Sequence, residues 1–232
     1  RFIPAARNSY AALYAACEQE GFTLEPVGAP APDVTCYSLN SLTASRYLNE
    51  IRDAPCVTIV GGPHATACPA EMAKIADFVI VGEGEYLLPA LLRSLEKGGP
   101  VPAGVATANG FVPADHCVRL DGYPPFSTMK GYIEISRGCP HACAYCQTPR
   151  LCGSVMRHRS IPSILSHARM HMDLRFTSPN ALAYGSDGLR PRLEKVELLL
   201  KTLSELGRPI YFGTFPSEVR PDFVSERSLE LI

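Results

Sequence analysis

Two stretches, CVTIV at 56–60 and FVIV at 78–81, constrain this chain more than any other feature. Each is a nearly continuous apolar, β-branched run without the alternation of a half-wet strand. Such runs suit strands buried on both faces, as in a parallel sheet covered by helices. The residues between and around them supply the helices. Ser9–Glu20 carries Leu13, Ala16 and Cys17 on one face, and Gly21 stops it. Thr43–Arg52 reads as a helix with Thr43 as its cap, Ala70–Ala76 as a short helix and Glu85–Lys97 as a longer one. Asp33–Leu39 is β-rich, and Phe22–Pro26 reads as a further short strand. Strands alternating with helices at this rhythm predict a doubly wound α/β domain over 1–97.

Residues 98–129 break the rhythm with a crowd of glycines and prolines, and read as a linker with a small hairpin around Asn109-Gly110. The alternation resumes over 130–232. Tyr132–Ser136, Ala181–Tyr184 and Pro209–Phe215 are the expected strands. Ser163–Met172, Arg192–Leu206 and a segment from Ser225 are the expected helices. Leu193, Val196, Leu199, Leu200 and Leu203 line one side of the second of these.

Composition excludes several classes. A formal net charge of −1 gives no basic field, so bulk electrostatics do not favour nucleic acid. No apolar run is long enough to span a bilayer. Nine cysteines, without an even framework or a secretion signal, favour reduced thiols and metal ligation. A cytoplasmic setting in an anaerobic or oxygen-poor cell is expected.

Three of those cysteines gather in SRGCPHACAYCQTPR at 136–150, as Cys139-x3-Cys143-x2-Cys146. Chance thiols seldom collect in a polar loop with a glycine and prolines. A zinc knuckle needs four ligands, and His141, lying between two of the cysteines, is the fourth at hand. An iron–sulfur cubane on three cysteines leaves one iron open to a substrate or cofactor. Cys152, six residues past Cys146, is either a packed thiol or a ligand to something else.

Cys-x3-Cys-x-aromatic-Cys, with Tyr145 at the aromatic position, resembles the signature of the radical S-adenosylmethionine superfamily. The resemblance covers roughly 130–232. It implies a 4Fe–4S cluster on Cys139, Cys143 and Cys146, at the C-terminal ends of the strands. S-adenosylmethionine would chelate the open iron, and one-electron cleavage would give a 5′-deoxyadenosyl radical. It also implies an electron donor such as ferredoxin or flavodoxin, and a small-molecule or other substrate that the residues do not name. Gly185, Ser186, Asp187 and Gly188 stand where such proteins receive the methionine end, although their pattern departs from the usual Gly-Gly-Glu. Tyr145, Glu218 and Arg220 are further candidates for the adenosine or the carboxylate.

A doubly wound domain before such a loop often binds cobalamin, and 61–92 is similar to the end of those domains. The resemblance implies that Ser38, Leu39, Asn40, Ser41, Gly61 and Gly62, at the strand ends, admit the nucleotide tail. The cobalt-ligating Asp-x-His-x-x-Gly is absent from the first loop, PAARNSY at 4–10, so either cobalamin binds without a histidine ligand or the domain is a relic or recognition module that binds none. His64 is expected to order its loop. The fold expected from both resemblances is a cobalamin-binding-like Rossmann domain followed by a partial radical β/α barrel. Only three β/α units precede Ile232, which suggests a fragment of a longer protein.

The expected function is radical chemistry with S-adenosylmethionine and cobalamin, for instance methyl transfer to an unactivated carbon. A methylthiotransferase acting on tRNA is one rival. It would need three further cysteines in the first domain, where Cys36 and Cys68 are spaced suggestively but have no third partner in the opening strand. An iron–sulfur electron carrier or sensor is the other rival, and it would need a closed fourth ligand.

Overall fold

The computed structural model describes residues 1–114 and 117–232. Two compact units appear, Arg1–Val118 with Ser127–Met129, and Arg119–Phe126 with Lys130–Ile232.

The first unit is built on strands β1 (Val34–Ser38), β2 (Val57–Gly61), β3 (Phe78–Ile80), β4 (Val105–Thr107) and β5 (Gly110–Phe111), in that spatial order. The first three are parallel, and β4 and β5 continue the sheet antiparallel. The hairpin expected around Asn109-Gly110 is therefore present, but it is part of a sheet rather than of a linker. Its helices are α1 (Arg7–Gln19), α2 (Leu48–Arg52), α3 (Pro63–Ala67), α4 (Pro69–Met72) and α5 (Leu87–Lys97).

Successive strand residues go to opposite faces, and each face has its own core. Tyr37, Val60, Val79 and Ala106 join Ile51, Ala65 and Met72 on one side. Cys36, Ile59, Ile80 and Val105 join Cys17, Leu87, Leu88 and Leu91 on the other. Truncating a fully buried leucine such as Leu91 to Ala should cost about 2–5 kcal/mol. Helix α5 stops at Gly98, whose φ of 64° is left-handed.

Several expected elements differ. Phe22–Pro26 pairs with no strand. The helix expected at 43–52 is a 3₁₀ turn (Ala44–Arg46) followed by α2, and Thr43 makes no side-chain cap. Instead Thr43 donates its N–H and hydroxyl to the Asn40 side chain, both at 3.0 Å. The helix expected at 70–76 is shorter and starts earlier, at Pro69–Met72, and a further short helix precedes it at Pro63–Ala67; Pro63 and Pro69 each open a first turn.

In the second unit β6 (Ile133–Glu134) gives way to β7 (Ser136–Arg137), so the expected strand at 132–136 is broken in two. Then come α6 (Thr148–Cys152), β8 (Arg157–His158), α7 (Ile161–Ala168), β9 (Leu174–Thr177), α8 (Leu193–Ser204), β10 (Ile210–Tyr211) and α9 (Glu226–Leu229). Strands β6, β9 and β10 form a parallel sheet in the order β10-β9-β6, while β7 and β8 make a separate antiparallel pair. Residues 181–184 are not a strand. Ala181–Ala183 is a 3₁₀ turn, and the strand lies earlier, at β9. Ile133, Ile164, Ala168, Leu174, Phe176, Val196, Leu199 and Leu203 are buried in this unit.

Tyr123 is held by Arg159, which is fully buried. Arg159 donates to the carbonyl oxygens of Tyr123 (2.7 Å) and Glu134 (3.0 Å). Asp121 accepts the Ser160 N–H at the start of α7. These bonds explain why 119–126 belongs to the second unit. Among the described residues no helix is long and apolar enough to cross a membrane.

Candidate metal centre and its surroundings

The cysteine loop leaves β7 through Gly138, at φ 87°. A Cβ there would lie 2.2 Å from the Val155 carbonyl oxygen, so only glycine lets the strand end pass this close to the returning chain. Cys139 N–H donates to the Gly153 carbonyl (3.1 Å), and Cys146 N–H to that of Cys143 (3.1 Å). The Cys146 thiol lies 3.3 Å from the Thr148 hydroxyl, at the start of α6. Cys139, Cys143 and Cys146 are all half-buried and free. Tyr145 is 90% exposed.

Among the described residues no three His, Cys, Asp or Glu side chains are drawn tightly enough together to hold a single metal ion. The Nε2 of His141 lies 3.0 Å from the Gly188 carbonyl oxygen, which ties the ring to the 185–188 loop and leaves Nδ1 as its other nitrogen. The loop offers three soft thiols, and Cys152 ends α6 one residue before the Gly153 carbonyl that accepts from Cys139; a set of thiols alone suits an iron–sulfur cluster.

The Gly185–Gly188 loop lies against the cysteine loop. A Cβ on Gly188, at φ 85°, would meet Pro140 Cδ at 2.8 Å and Met156 Cγ at 2.7 Å. Since 181–184 is a 3₁₀ turn, this loop does not follow directly on a strand end as expected. Its polar atoms largely shape the loop itself. The buried Ser186 hydroxyl donates to the Ala183 carbonyl (2.9 Å) and accepts the Gly188 N–H (3.1 Å). Asp187 is exposed, and its Oδ1 accepts the N–H groups of Leu189 (2.9 Å) and Arg190 (3.4 Å). Those two bonds hold its carboxyl below the ordinary range.

The true end of β9 is Ser178-Pro179-Asn180, and the reading of the sequence missed it. Ser178 bridges to Ser217, continuing the parallel pairing of β9 with the segment after β10. Asn180 Nδ2 and Ser217 Oγ are buried without a hydrogen-bond partner. Unsatisfied buried donors at the C-terminal ends of parallel strands are where an open α/β sheet takes ligands. The signal in the sequence was three polar or turn residues directly after an apolar strand. Glu218 is exposed, and its carbonyl accepts the Ala181 N–H at 2.7 Å. Arg220 makes two bonds to Asp222 (3.0 and 3.1 Å). Asp222 first, and the Cys143 thiol after it, raise the Arg220 pKa, so Arg220 borders the cysteine loop.

In the first unit the candidate residues do share one edge. Ser38 pairs with Gly61, and Leu39 N–H donates to the Gly61 carbonyl at 2.9 Å. Gly62 has φ 93°, and a Cβ there would lie 2.8 Å from the Leu39 carbonyl oxygen. Asn40 Oδ1 accepts from Thr43, and the Ser41 hydroxyl lies 3.3 Å from His64 Nδ1. The His64 backbone N–H donates to the Leu39 carbonyl (3.0 Å), and its ring contact with Ser41 fits a loop-ordering histidine. A cavity of about 580 Å³ opens at the opposite edge, beside Val57, Asp77, Phe78 and Asn109, away from these residues. Burial pushes the Cys17 thiol up to about 12 and the Cys36 thiol up to about 11, which makes both poor metal ligands.

No protein-family model matches the chain. An uncharacterized methyltransferase of Synechocystis, sll1242, is 31% identical over 182 residues, covering 73% of this chain and 32% of the relative. The hopanoid C-3 methylase of Methylococcus capsulatus is 29% identical over 171 residues, covering 62% of this chain and 32% of the relative. The chain thus spans about a third of the length of these curated relatives. Among solved structures, the radical S-adenosylmethionine methyltransferase TsrM of Kitasatospora setae superposes with a TM-score of 0.61 at 18% identity, covering 87% of this chain and 48% of that one. Its form with cobalamin and a [4Fe-4S] cluster bound gives 0.57 at 17% identity. At these identities the structural likeness establishes the fold.

Proposed function

We propose, from the sequence similarity to methyltransferases and the likeness in fold to a radical S-adenosylmethionine methyltransferase, that the chain is the part of such an enzyme that binds the cofactors. The observation that carries this is the donor set: three free, half-buried thiols at Cys-x3-Cys-x2-Cys spacing on one loop, bordered by Gly188 and Arg220. Cys139, Cys143 and Cys146 would hold a 4Fe–4S cluster with one iron open. When bound, the cluster and S-adenosylmethionine would supply one-electron cleavage to a carbon radical, and cobalamin would supply the methyl group.

The chain's own residues do the positioning. Gly138 and Gly188 let the cysteine loop pack without side chains between it and its neighbours. Asn180 and Ser217 offer unsatisfied polar atoms at the strand ends, suited to the polar end of S-adenosylmethionine. Arg220 brings a cation, part-neutralised by Asp222, to the Cys143 side of the loop. We assign Tyr145, Gly185, Ser186, Asp187 and Glu218 to the same neighbourhood, with Ser186 and Asp187 shaping the loop. Ser38, Asn40, Ser41, Gly61 and Gly62 would form the edge that meets cobalamin. The three parallel strands β6, β9 and β10 would be the opening units of a radical β/α barrel. A ferredoxin or flavodoxin is the expected donor, and the substrate, a small molecule or another, is unassigned.

Anaerobic reconstitution with iron and sulfide tests this reading. About four irons per chain are expected, with an electron paramagnetic resonance signal that S-adenosylmethionine perturbs. Saturable binding of hydroxocobalamin tests the first unit. A chain that retains no iron would overturn the assignment of the cysteines.

A further inference from the structure

We infer that His158 is the positioning residue for the cysteine loop, acting through the Gly185–Gly188 loop. This rests on the reading of Cys139, Cys143 and Cys146 as cluster ligands. His158 lies in β8, opposite Ser136 of β7. Its Nδ1 is 2.8 Å from the Ser136 hydroxyl and accepts the Gly185 N–H at 3.2 Å. Its Nε2 is 2.7 Å from the Ser186 carbonyl oxygen. Only one form of the ring satisfies these partners. A carbonyl oxygen can only accept, so Nε2 carries the hydrogen. A backbone N–H can only donate, so Nδ1 is bare. Tyr184 stands edge-on to the ring at 5.5 Å, and its hydroxyl is tied to the Arg159 carbonyl.

One neutral imidazole therefore joins two segments. The first is Ser136, from which the chain runs through Arg137 and Gly138 into Cys139. The second is the 185–188 loop, whose far end is packed on Pro140 and accepts from His141. Pro140 and His141 lie between Cys139 and Cys143. The cysteine loop is thus fixed at its start and in its middle through one ring. Strands β7 and β8 have only two residues each, so their ladder alone is too short to fix a loop of this length.

The test uses conservative variants of the same chain. His158→Asn keeps an acceptor near the Nδ1 position, His158→Gln keeps a donor near the Nε2 position, and His158→Phe keeps neither. Alkylation rates of the individual cysteines in the metal-free protein, read by mass spectrometry, report loop order without any cofactor. In His158→Phe the rates at Cys139 and Cys143 should rise about tenfold or more, with Asn and Gln between, because each lost hydrogen bond frees a local opening. Cys17, buried in the first unit, should not change. After reconstitution the same variants should keep their iron but lose the wild-type change in the cluster's resonance signal on adding S-adenosylmethionine. A folded His158→Phe with wild-type alkylation rates and a wild-type signal would overturn the role. Should His158→Phe not fold, Ser136→Ala and His158→Asn decide the matter on the same two readouts. Iron content of the wild type tests the cluster assignment separately, since the alkylation rates do not depend on it.

Discussion

The two candidate edges are held by different means. In the first unit Ser38, Leu39, Gly61 and Gly62 are locked by the ladder itself: Ser38 opposes Gly61, and main-chain bonds from Leu39 and His64 continue the pairing past the strand ends. That edge needs no ligand to keep its shape. The cysteine loop in the second unit hangs from two-residue strands, two glycine contacts, the Cys139–Gly153 and His141–Gly188 hydrogen bonds and the His158 side chain. Its thiols repel as thiolates, so a metal group would supply part of its order. A sheet edge is built by the backbone, whereas a ligand loop is built by a few side chains and completed by what it binds.

The sharpest break of this comparison is at the cysteines. Replacing Cys139, Cys143 or Cys146 with Ala should take bound iron from about four per chain to near zero while the first unit keeps its melting transition. Gly138→Ala should act next. The new methyl group would lie 2.2 Å from the Val155 carbonyl oxygen at a positive φ, and about 2–4 kcal/mol of local stability should go. Denaturant melts and loop alkylation both read it.

The first unit gives a cleaner experiment than Gly62, whose substitution would strain the main chain whatever binds nearby. Gly61 lacks that constraint, and a Cβ there would sit 3.7 Å from Ile80 Cβ, an ordinary contact. Gly61→Ala should change stability by less than about 1 kcal/mol. A several-fold weaker hydroxocobalamin titration would then place the ligand at this edge, and unchanged binding would remove Gly61 from it.

Acidification should touch the second unit through its histidines. Burial lowers the His158 pKa from its ordinary 6.5, partly offset by the bond to the Ser186 carbonyl. Below 6.5 the unfolded chain takes up the proton first, so the stabilisation is whole above that pH and is lost as the pH falls below it. His171, also lowered by burial, acts in the same direction. Melts between pH 7.5 and about 5 should show the loss, and His158→Asn should flatten it. The smallest effect expected is at Cys56. Its thiol donates to Thr35 at 3.4 Å in the first unit, and Cys56→Ser should leave bound iron unchanged.

What the sequence made legible follows the same divide. CVTIV and FVIV announced β2 and β3 because a strand buried on both faces has no other composition. Leu87–Lys97 was visible from its periodicity and Gly98. The strand at Leu174–Thr177 was overlooked because Arg175 interrupts it, its side chain lying over the Tyr211 ring at 3.9 Å. The apolar Ala181–Tyr184 took its place in the reading, since a short apolar run does not separate strand from turn. Ser178 and Asn180, which follow β9 directly, therefore do not stand out in the sequence as Gly185–Gly188 do. The cysteine spacing was legible, but the tie from Ser136 through His158 to Ser186 was not, because it joins residues far apart in the chain through one tautomer.

The central claim is that three thiols on one loop hold a cluster with an open iron. Mössbauer spectra of protein reconstituted with ⁵⁷Fe, recorded with and without S-adenosylmethionine, test it most directly. One iron site of the cluster should shift its parameters on adding S-adenosylmethionine while the others stay as they were. Spectra of equivalent irons that S-adenosylmethionine leaves untouched, or no retained iron at all, would contradict it.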